Sequence, residues 1–301
     1  MPIKVGFSSL TCPGWDLGTM VAQAAALGYD GLEIRGLGGS LHLPGARELA
    51  DDPAGVRRLF SEAGVELVSL ASTAAFETWS RRELGESHRA VNETIELAAK
   101  LGCPYVRIFL GQAQGMENRA TMGRVAEQVG QVVEVAARHQ VTILVENAGD
   151  FLASKDLWYV LDAVSHPGVL GSHNPLNVRL RGERPTVSVP RLARRLGVFR
   201  IADGKFDETG RFLSHEIPGQ GSCELDRAID LLKGVCFQGW LSFEWPQAKA
   251  GLAAPEDALP QALAFMRERL AHTYERLSAY AKDKNPPNLK VPPSVEAAPA
   301  T

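Results

Sequence analysis

Short apolar, β-rich segments alternate with longer helical segments along most of the chain, and this alternation limits the possible folds more than any other feature. The β-rich segments lack a strict apolar–polar alternation, as expected for strands that are buried on both faces. Strands are predicted at Ile3–Ser8, Gly31–Arg35, Val65–Ala71, Tyr105–Leu110, Val141–Glu146, Gly168–His173, Gly197–Ile201 and Gly239–Glu244. Such a series, with helices in between, predicts a single-domain α/β fold, the parallel (β/α)8 TIM barrel.

Several of the segments between these strands have apolar residues at helical spacing. Helices are predicted at Leu17–Leu27, His88–Leu101, Arg124–Arg138, Leu225–Leu232 and Glu256–Tyr280. Gly28 and Gly102 directly follow two of them, which is typical of helix C-termini. An open doubly wound sheet is the alternative fold, but it usually has a glycine-rich phosphate turn after the first strand, and residues 8–14 (SSLTCPG) do not form one. The barrel is expected over residues 1–281, and the Pro- and Ala-rich residues 282–301 are predicted to be a disordered tail.

The composition of the chain limits the classes of partner that it is expected to bind. The chain has 301 residues, 45% hydrophobic and 22% charged, with a net charge of -3, so no basic excess favours nucleic acid. We find no segment with the pattern of a secretory signal or a membrane span. The four cysteines are scattered without a CxxC pair, which favours reduced thiols and a cytoplasmic location. We therefore expect a small-molecule ligand and no nucleic acid or membrane partner; assembly into a homo-oligomer stays open.

Two carboxylates close predicted strands and are the main candidates for chemistry. Glu146 ends the fifth strand and Glu244 the eighth, at the edge of the barrel where reacting groups lie. Two buried carboxylates that face one cavity need a cation, a proton or hydrogen-bond donors between them. The same pair could remove a proton from a carbon next to a carbonyl and return it. The alternative is that each glutamate pairs with an arginine from a loop.

Other polar residues near strand ends are candidates for substrate binding. Glu33 and Arg107 could bind substrate hydroxyls or form an ion pair inside the barrel mouth. Asn177 could orient a substrate or cap its own turn. Lys205 could contact a phosphate or a carboxylate.

A series of segments in the expected order carries a resemblance to a known superfamily. The segments are KVGFSSLTCPGWDL, AAALGYDGLEIR, IELAAKLGCPYVRIFLG, AARHQVTILVEN, NPLN, FRIADGK, IPGQGSCEL and GWLSFEW. Together they resemble the sugar phosphate isomerase/epimerase superfamily, the xylose isomerase-like TIM barrels, over residues 3–275. The resemblance implies isomerisation or epimerisation of a sugar, sugar phosphate or polyol, with Glu146 and Glu244 as acid and base.

The resemblance also implies a divalent metal (Mn, Mg or Zn) held by Glu, Asp, His and Glu. Glu146 and Glu244 match, whereas Asn174 takes the aspartate position and Arg200 takes the histidine position. An Asn oxygen can ligate a hard cation, but a guanidinium has no acceptor and cannot ligate at all. Two interpretations follow. In one, the metal is bound by Glu146, Asn174 and Glu244, with the neighbouring His173 as a replacement ligand. In the other, no metal is bound, and Arg200 bridges the two glutamates in its place.

The resemblance leaves three functions open, because barrels of this kind host many chemistries. The first is a sugar isomerase or epimerase. The second is a ligand-binding barrel that has lost turnover, which the changes at Asn174 and Arg200 favour. The third is a lyase or dehydratase, which shares the step of proton abstraction.

Overall fold

The computed structural model describes residues 2–78, 80–113, 118–246 and 252–282. Parallel strands close into an eight-stranded barrel in the order β1-β10-β7-β6-β5-β4-β3-β2, which confirms the predicted TIM barrel. The barrel strands are β1 (Lys4–Ser8), β2 (Gly31–Ile34), β3 (Glu66–Ala71), β4 (Tyr105–Phe109), β5 (Thr142–Glu146), β6 (Val169–His173), β7 (Leu196–Ile201) and β10 (Trp240–Phe243). Strands β8 (Asp203–Phe206) and β9 (Phe212–Glu216) form a separate antiparallel hairpin after β7.

Helices cover the outside of the barrel. They are α1 (Leu17–Leu27), α2 (Arg47–Ala50), α3 (Pro53–Ala63), α4 (Arg81–Leu101), α5 (Asn118–Arg138), α6 (Ser154–Val164), α7 (Pro175–Arg179), α8 (Pro185–Leu192), α9 (Leu225–Gly234) and α10 (Pro255–Lys282). Gly28 and Gly102 end α1 and α4 with φ values of 90° and 68°, so the predicted glycine C-caps are confirmed. No helix within the described ranges is both long and apolar enough to cross a membrane.

Several elements differ from the sequence-based prediction. Helix α3 was not predicted, although Asp52 caps its first turn and Gly64, with a φ of 67°, ends it. Helix α6 and the β8–β9 hairpin were also not predicted. Helix α10 reaches Lys282, the first residue of the predicted tail, and the rest of that tail lies outside the described residues.

The barrel interior has two distinct layers. At the amino-terminal ends of the strands lies a cluster that we call the apolar floor, formed by Val68, Leu144, Val198 and Trp240. Gly31 belongs to this level, because a Cβ there would lie 2.5 Å from Val68 Cγ2. Side chains two residues apart on a strand share a face, so the residues two positions after the floor residues also point inward. After Leu144, Val198 and Trp240 these positions are Glu146, Arg200 and Ser242, whereas Leu70, two residues after Val68, belongs to the hydrophobic core.

The β8–β9 hairpin is fastened at its base by one buried carboxylate. Asp203 Oδ1 accepts the backbone N–H of Gly204 at 2.9 Å and of Cys223 at 3.0 Å. Its Oδ2 accepts the N–H of Gly219 at 2.9 Å and of Gly221 at 3.1 Å. Asp203 therefore fixes the segment that returns from the hairpin to α9.

Candidate functional site

Charged side chains from five strands meet inside the barrel, above the apolar floor. We call this cluster the ionic layer, and it consists of Glu33, Arg107, Glu146, Arg200 and Glu244. Four of these side chains are at most 3% exposed, whereas Glu244, which directly follows β10, is 18% exposed. Arg200 follows the floor residue Val198 by two positions, and Glu146 follows the floor residue Leu144 by two. Because side chains two residues apart on a strand share a face, both point into the barrel, one layer above the floor.

Arg200 binds two of the three glutamates. Its Nε donates to Glu146 Oε2 at 3.1 Å, and its Nη2 donates to Glu33 Oε2 at 2.9 Å. Its Nη1 donates to Glu33 Oε1 and, at 3.2 Å, to Ser242 Oγ. Its nearest approach to Glu244 is 3.9 Å. The guanidinium thus hydrogen-bonds to Glu146 and Glu33 and forms a longer ion pair with Glu244, so it lies near both glutamates that it was expected to bridge and binds Glu33 most closely.

Arg107 also contacts both candidate acid–base residues, and it lies closer to Glu244 than Arg200 does. Its Nη2 donates to Glu244 Oε2 at 3.0 Å, and its Nη1 lies 3.4 Å from Glu146 Oε2. The same Nη1 lies 3.8 Å from Glu33 Oε2. The alternative of an ion pair between Glu33 and Arg107 is therefore present in the structure, as part of a larger network.

Serine hydroxyls supply further hydrogen bonds to each carboxylate, and sequence reasoning missed them. Ser172 Oγ donates to Glu146 Oε2 at 2.8 Å. Ser69 and Ser242 donate to Glu33, and Ser8 bonds to Glu244. Their positions at or near strand ends were the available signal, but a serine on a buried strand is common and does not by itself indicate a site.

The two candidate acid–base residues have pKa values shifted in opposite directions. Burial raises the pKa of Glu146 to about 7, although Arg107 acts in the other direction. Burial also acts to raise the pKa of Glu244, but Arg107 and the hydrogen bonds outweigh it, so that pKa lies below its ordinary value. Near neutral pH one carboxyl is therefore partly protonated while the other is ionised.

A third arginine lies at the edge of the ionic layer. Arg35 directly follows β2, is half-buried, and its guanidinium carbon lies 4.5 Å from the centroid of the Phe109 ring. The guanidinium carbon of Arg107 lies 4.7 Å from the same centroid. Sequence reasoning placed Arg35 at the end of a strand but did not select it, because its relation to Arg107 arises only when the barrel closes.

The residues present do not fit the metal site that the resemblance implies. The positive charge beside Glu146 and Glu244 is already supplied by the guanidinium of Arg107. Asn174 Oδ1 accepts the backbone N–H groups of Leu176 and Asn177 at 3.1 and 3.4 Å, as the cap of α7. Across the described residues, no group of three or more His, Cys, Asp or Glu side chains could hold a metal ion.

His173 lies on the opposite face of β6 from the ionic layer. Its ring is fully buried, with Nε2 3.0 Å from Ser188 Oγ of α8 and an edge contact to Phe199. Burial lowers the pKa of His173 to about 3, so the imidazole is neutral. Alternation along the strand gives the reason: Ser172 faces Glu146, so His173 faces the helices. The structure therefore does not support His173 as a metal ligand.

The other two candidates for substrate binding have partners within the fold. Asn177 Nδ2 donates to the backbone carbonyl of Asn147 at 2.7 Å and fastens α7 to the end of β5. Lys205 Nζ lies 3.1 Å from Glu216 on the hairpin, and its side chain is 54% exposed. Neither side chain contacts the ionic layer through these interactions.

Comparison with known proteins identifies the family. The sequence profile of the xylose isomerase-like TIM barrel matches residues 21–269. The chain belongs to this family. No curated protein sequence matches significantly.

Solved structures on the same scaffold include sugar epimerases and dehydratases. The IolI protein with a bound zinc atom has a TM-score of 0.79 and 18% identity, covering 90% of this chain and 99% of its own. D-allulose 3-epimerase from Methylomonas sp. in complex with D-allulose has a TM-score of 0.71 and 17% identity, covering 89% and 97%. The probable 3-DHS dehydratase AsbF from Bacillus anthracis has a TM-score of 0.71 and 14% identity, covering 88% and 99%. At these identities the likeness shows the fold.

Proposed function

We propose that this barrel is a metal-independent isomerase or epimerase of small, carbohydrate-like hydroxy-carbonyl compounds. The observation that carries the proposal is that one guanidinium, that of Arg107, contacts two carboxyls whose pKa values are shifted apart. Pairs of carboxyls separated in this way are typical of acid–base catalysis. The epimerases that share the scaffold support the same reaction class.

Glu244 acts as the base in this proposal. It is ionised at neutral pH and has the most exposed side chain of the three glutamates in the ionic layer. A substrate that enters from the carboxyl ends of the strands reaches it first. Glu146 is deeper and, with a pKa of about 7, carries a proton for part of the time. It returns that proton to the substrate carbon or oxygen.

Arg107 stabilises the negative charge that forms on the substrate oxygen when the proton leaves carbon. Its guanidinium lies between the two carboxyls, and its buried Nε and Nη1 atoms have no hydrogen-bond partner in the described part of the chain. Donors fixed in a water-poor site stabilise a developing oxyanion more strongly than water does. Arg200 is a positioning residue, because it fixes Glu146 against Glu33.

A binding barrel without turnover is the second candidate, and the ion pairing favours it. Each glutamate of the ionic layer already has an arginine partner in the protein. A base that stays in such a pair abstracts protons poorly, so a substrate would have to displace Arg107 from Glu244. A dehydratase shares the first proton transfer and differs in the loss of water.

Deuterium exchange tests the proposal directly. The protein is incubated in D2O with D-fructose, D-allulose or hydroxypyruvate, with and without EDTA, and exchange at the carbon next to the carbonyl is followed by 1H NMR. We expect exchange that EDTA does not change, and a loss of about 100- to 10,000-fold in Glu244→Gln. Glu224→Gln, at a surface ion pair with Arg184, is the matched control and should exchange like the wild type.

Three outcomes contradict the proposal. Exchange that requires added Mn or Zn supports metal catalysis. Binding of these compounds without exchange supports the binding barrel, and loss of water from the substrate supports a dehydratase. Circular dichroism of each variant confirms that a lost rate does not arise from unfolding.

A further inference from the structure

We infer that the substrate carries an anionic group, a carboxylate or a phosphate, and that Arg35 binds it together with Arg107. The inference rests on the proposed function, because it names the class of hydroxy-carbonyl compound that this site would accept. It assigns a binding role to Arg35 at the carboxyl end of β2.

The first observation is that one buried nitrogen of the Arg35 guanidinium has no acceptor among the described residues. The side chain is half-buried, and its Nη1 is fully buried with no hydrogen-bond partner. Within the described ranges, no carboxylate forms an ion pair with Arg35. Buried polar groups are nearly always hydrogen-bonded, so an orphan donor in a native fold indicates a missing partner such as a ligand.

The second observation is that Arg107 has the same deficiency close by. Its side chain is 1% exposed, yet among the described residues its Nε and Nη1 have no hydrogen-bond partner of good geometry, and of these two only Nη1 forms ion pairs, with Glu146 and Glu33. Both guanidiniums lie against the Phe109 ring, with centroid distances of 4.5 and 4.7 Å. Two like charges that share one ring repel each other, and an anion bound by both would offset the repulsion and accept hydrogen bonds from Arg35 Nη1 and Arg107 Nε.

Other arginines of the chain show that an unpartnered guanidinium is not the general rule here. The Nε and Nη2 of Arg184 donate to both carboxylate oxygens of Glu224 at 2.9 and 3.0 Å. Arg191 pairs with Glu183, and Arg195 pairs with Asp162 although its Nη1 is also buried without a hydrogen-bond partner among the described residues. Each of these arginines thus has a carboxylate partner, whereas the half-buried Arg35 forms no ion pair with a described carboxylate. That contrast favours a ligand as its partner.

The position of Arg35 relates the anion to the reacting carbon. Arg35 is close enough to Glu244 and Glu146 for their charges to act on it. A short substrate could then place its anionic group on Arg35 while the carbon next to its carbonyl faces Glu244. This arrangement fits a hydroxy-keto acid or a ketose phosphate and does not fit a neutral hexose.

Binding of three compounds that share a three-carbon skeleton tests the inference. Dihydroxyacetone is neutral, hydroxypyruvate carries a carboxylate, and dihydroxyacetone phosphate carries a phosphate. Isothermal titration calorimetry of the full chain should show at least about 10-fold tighter binding for one of the anionic compounds, and the tighter one identifies the group. Arg35→Gln should weaken that compound by about 10- to 100-fold and leave dihydroxyacetone unchanged.

Two further variants separate recognition from folding. Arg35→Lys keeps the charge and should restore part of the affinity, whereas Arg58→Gln, at an exposed position on α3, should change nothing. Equal binding of all three compounds overturns the inference. So does failure of all three to bind, or a loss in Arg35→Gln that is no larger than in Arg58→Gln.

Failure of the proposed function gives a different result, because calorimetry does not need turnover. An anion preference that depends on Arg35, without deuterium exchange, would support the anion site and contradict the isomerase activity. Deuterium exchange of neutral sugars, without an anion preference, would support the isomerase activity and contradict the anion site.

Discussion

The apolar floor and the ionic layer share several strands, but different interactions stabilise them. Leu144 and Val198 belong to the floor, and Glu146 and Arg200 lie two residues further along the same strands. The floor is stabilised by removal of apolar surface from water, which has no preferred direction. The ionic layer depends on directed contacts, because each charge there must find a partner.

If the proposed function is correct, the residues that stabilise the fold and those that act on the substrate occupy different levels along the barrel axis. A buried ion pair seldom stabilises a fold more than apolar side chains of similar volume would, because desolvation of the charges is unfavourable. The floor shows that this sequence can fill the barrel interior with apolar residues. Apolar packing alone therefore does not explain the charges one layer above, which agrees with the catalytic role that we propose for them.

Arg200→Met should have the largest effect on stability. The change leaves Glu33 and Glu146 buried without the guanidinium that binds both of them. Removal of one member of a buried ion pair typically destabilises a protein by about 3–5 kcal/mol. Urea unfolding followed by circular dichroism measures the change, and a loss below about 1 kcal/mol would show that the layer is solvated.

Leu144→Ala, in the floor, should destabilise the fold by about 2–5 kcal/mol through the cavity that it leaves. Its effect on function should differ from that of the ionic layer. Because the site is one layer higher, we expect the affinity for ligand and the rate of deuterium exchange to stay within about twofold when measured well below the unfolding transition. A larger fall in affinity would show that the floor positions the site.

Stability should depend on pH through Glu146. Its pKa is raised from 4.5 when unfolded to about 7 when folded, so the folded state binds the proton more strongly. The stabilisation from this group is fully present below pH 4.5 and is lost as pH rises through about 7. Urea unfolding at pH 5 and pH 8 should show this loss in the wild type and in Leu144→Ala, and less of it in Glu146→Gln. An equal loss in Glu146→Gln would assign the effect to another group.

Arg184→Gln should have the smallest effect, although it also breaks an arginine–glutamate pair. Arg184 is 64% exposed and its partner Glu224 is 32% exposed. Surface pairs contribute about 0–1 kcal/mol, so the midpoint of urea unfolding should barely move. A loss as large as that in Arg200→Met would show that burial does not set the strength of these pairs.

Much of the fold follows from local sequence signals. Apolar runs located the barrel strands, since strands buried on both faces have a distinct composition. Glycines located the ends of α1 and α4. Helix α3 was not predicted, although Asp52 and Gly64 carry the signals of a helix start and end, and Val56 and Phe60 lie one turn apart on its buried face.

The candidate site was less accessible to prediction, because its contacts cross the barrel. Strand ends indicated Glu146 and Glu244, and the replacement of a histidine by Arg200 suggested a guanidinium in the site. The partners of Arg200 and Arg107 depend on which side chains face each other after closure. The same holds for Arg35, whose relation to Arg107 runs through Phe109 on another strand.

The fastening of the hairpin by Asp203 has a consequence for how this barrel could be redesigned. Four backbone N–H groups, at the start of the hairpin and in the segment after it, donate to the one carboxylate of Asp203. The hairpin is therefore anchored at its base, whatever the length of its two strands. A longer or different hairpin could then replace the segment between Lys205 and Glu216 without moving the neighbouring barrel strand. The hairpin therefore offers a place to add new recognition surface without a change to the residues of the ionic layer.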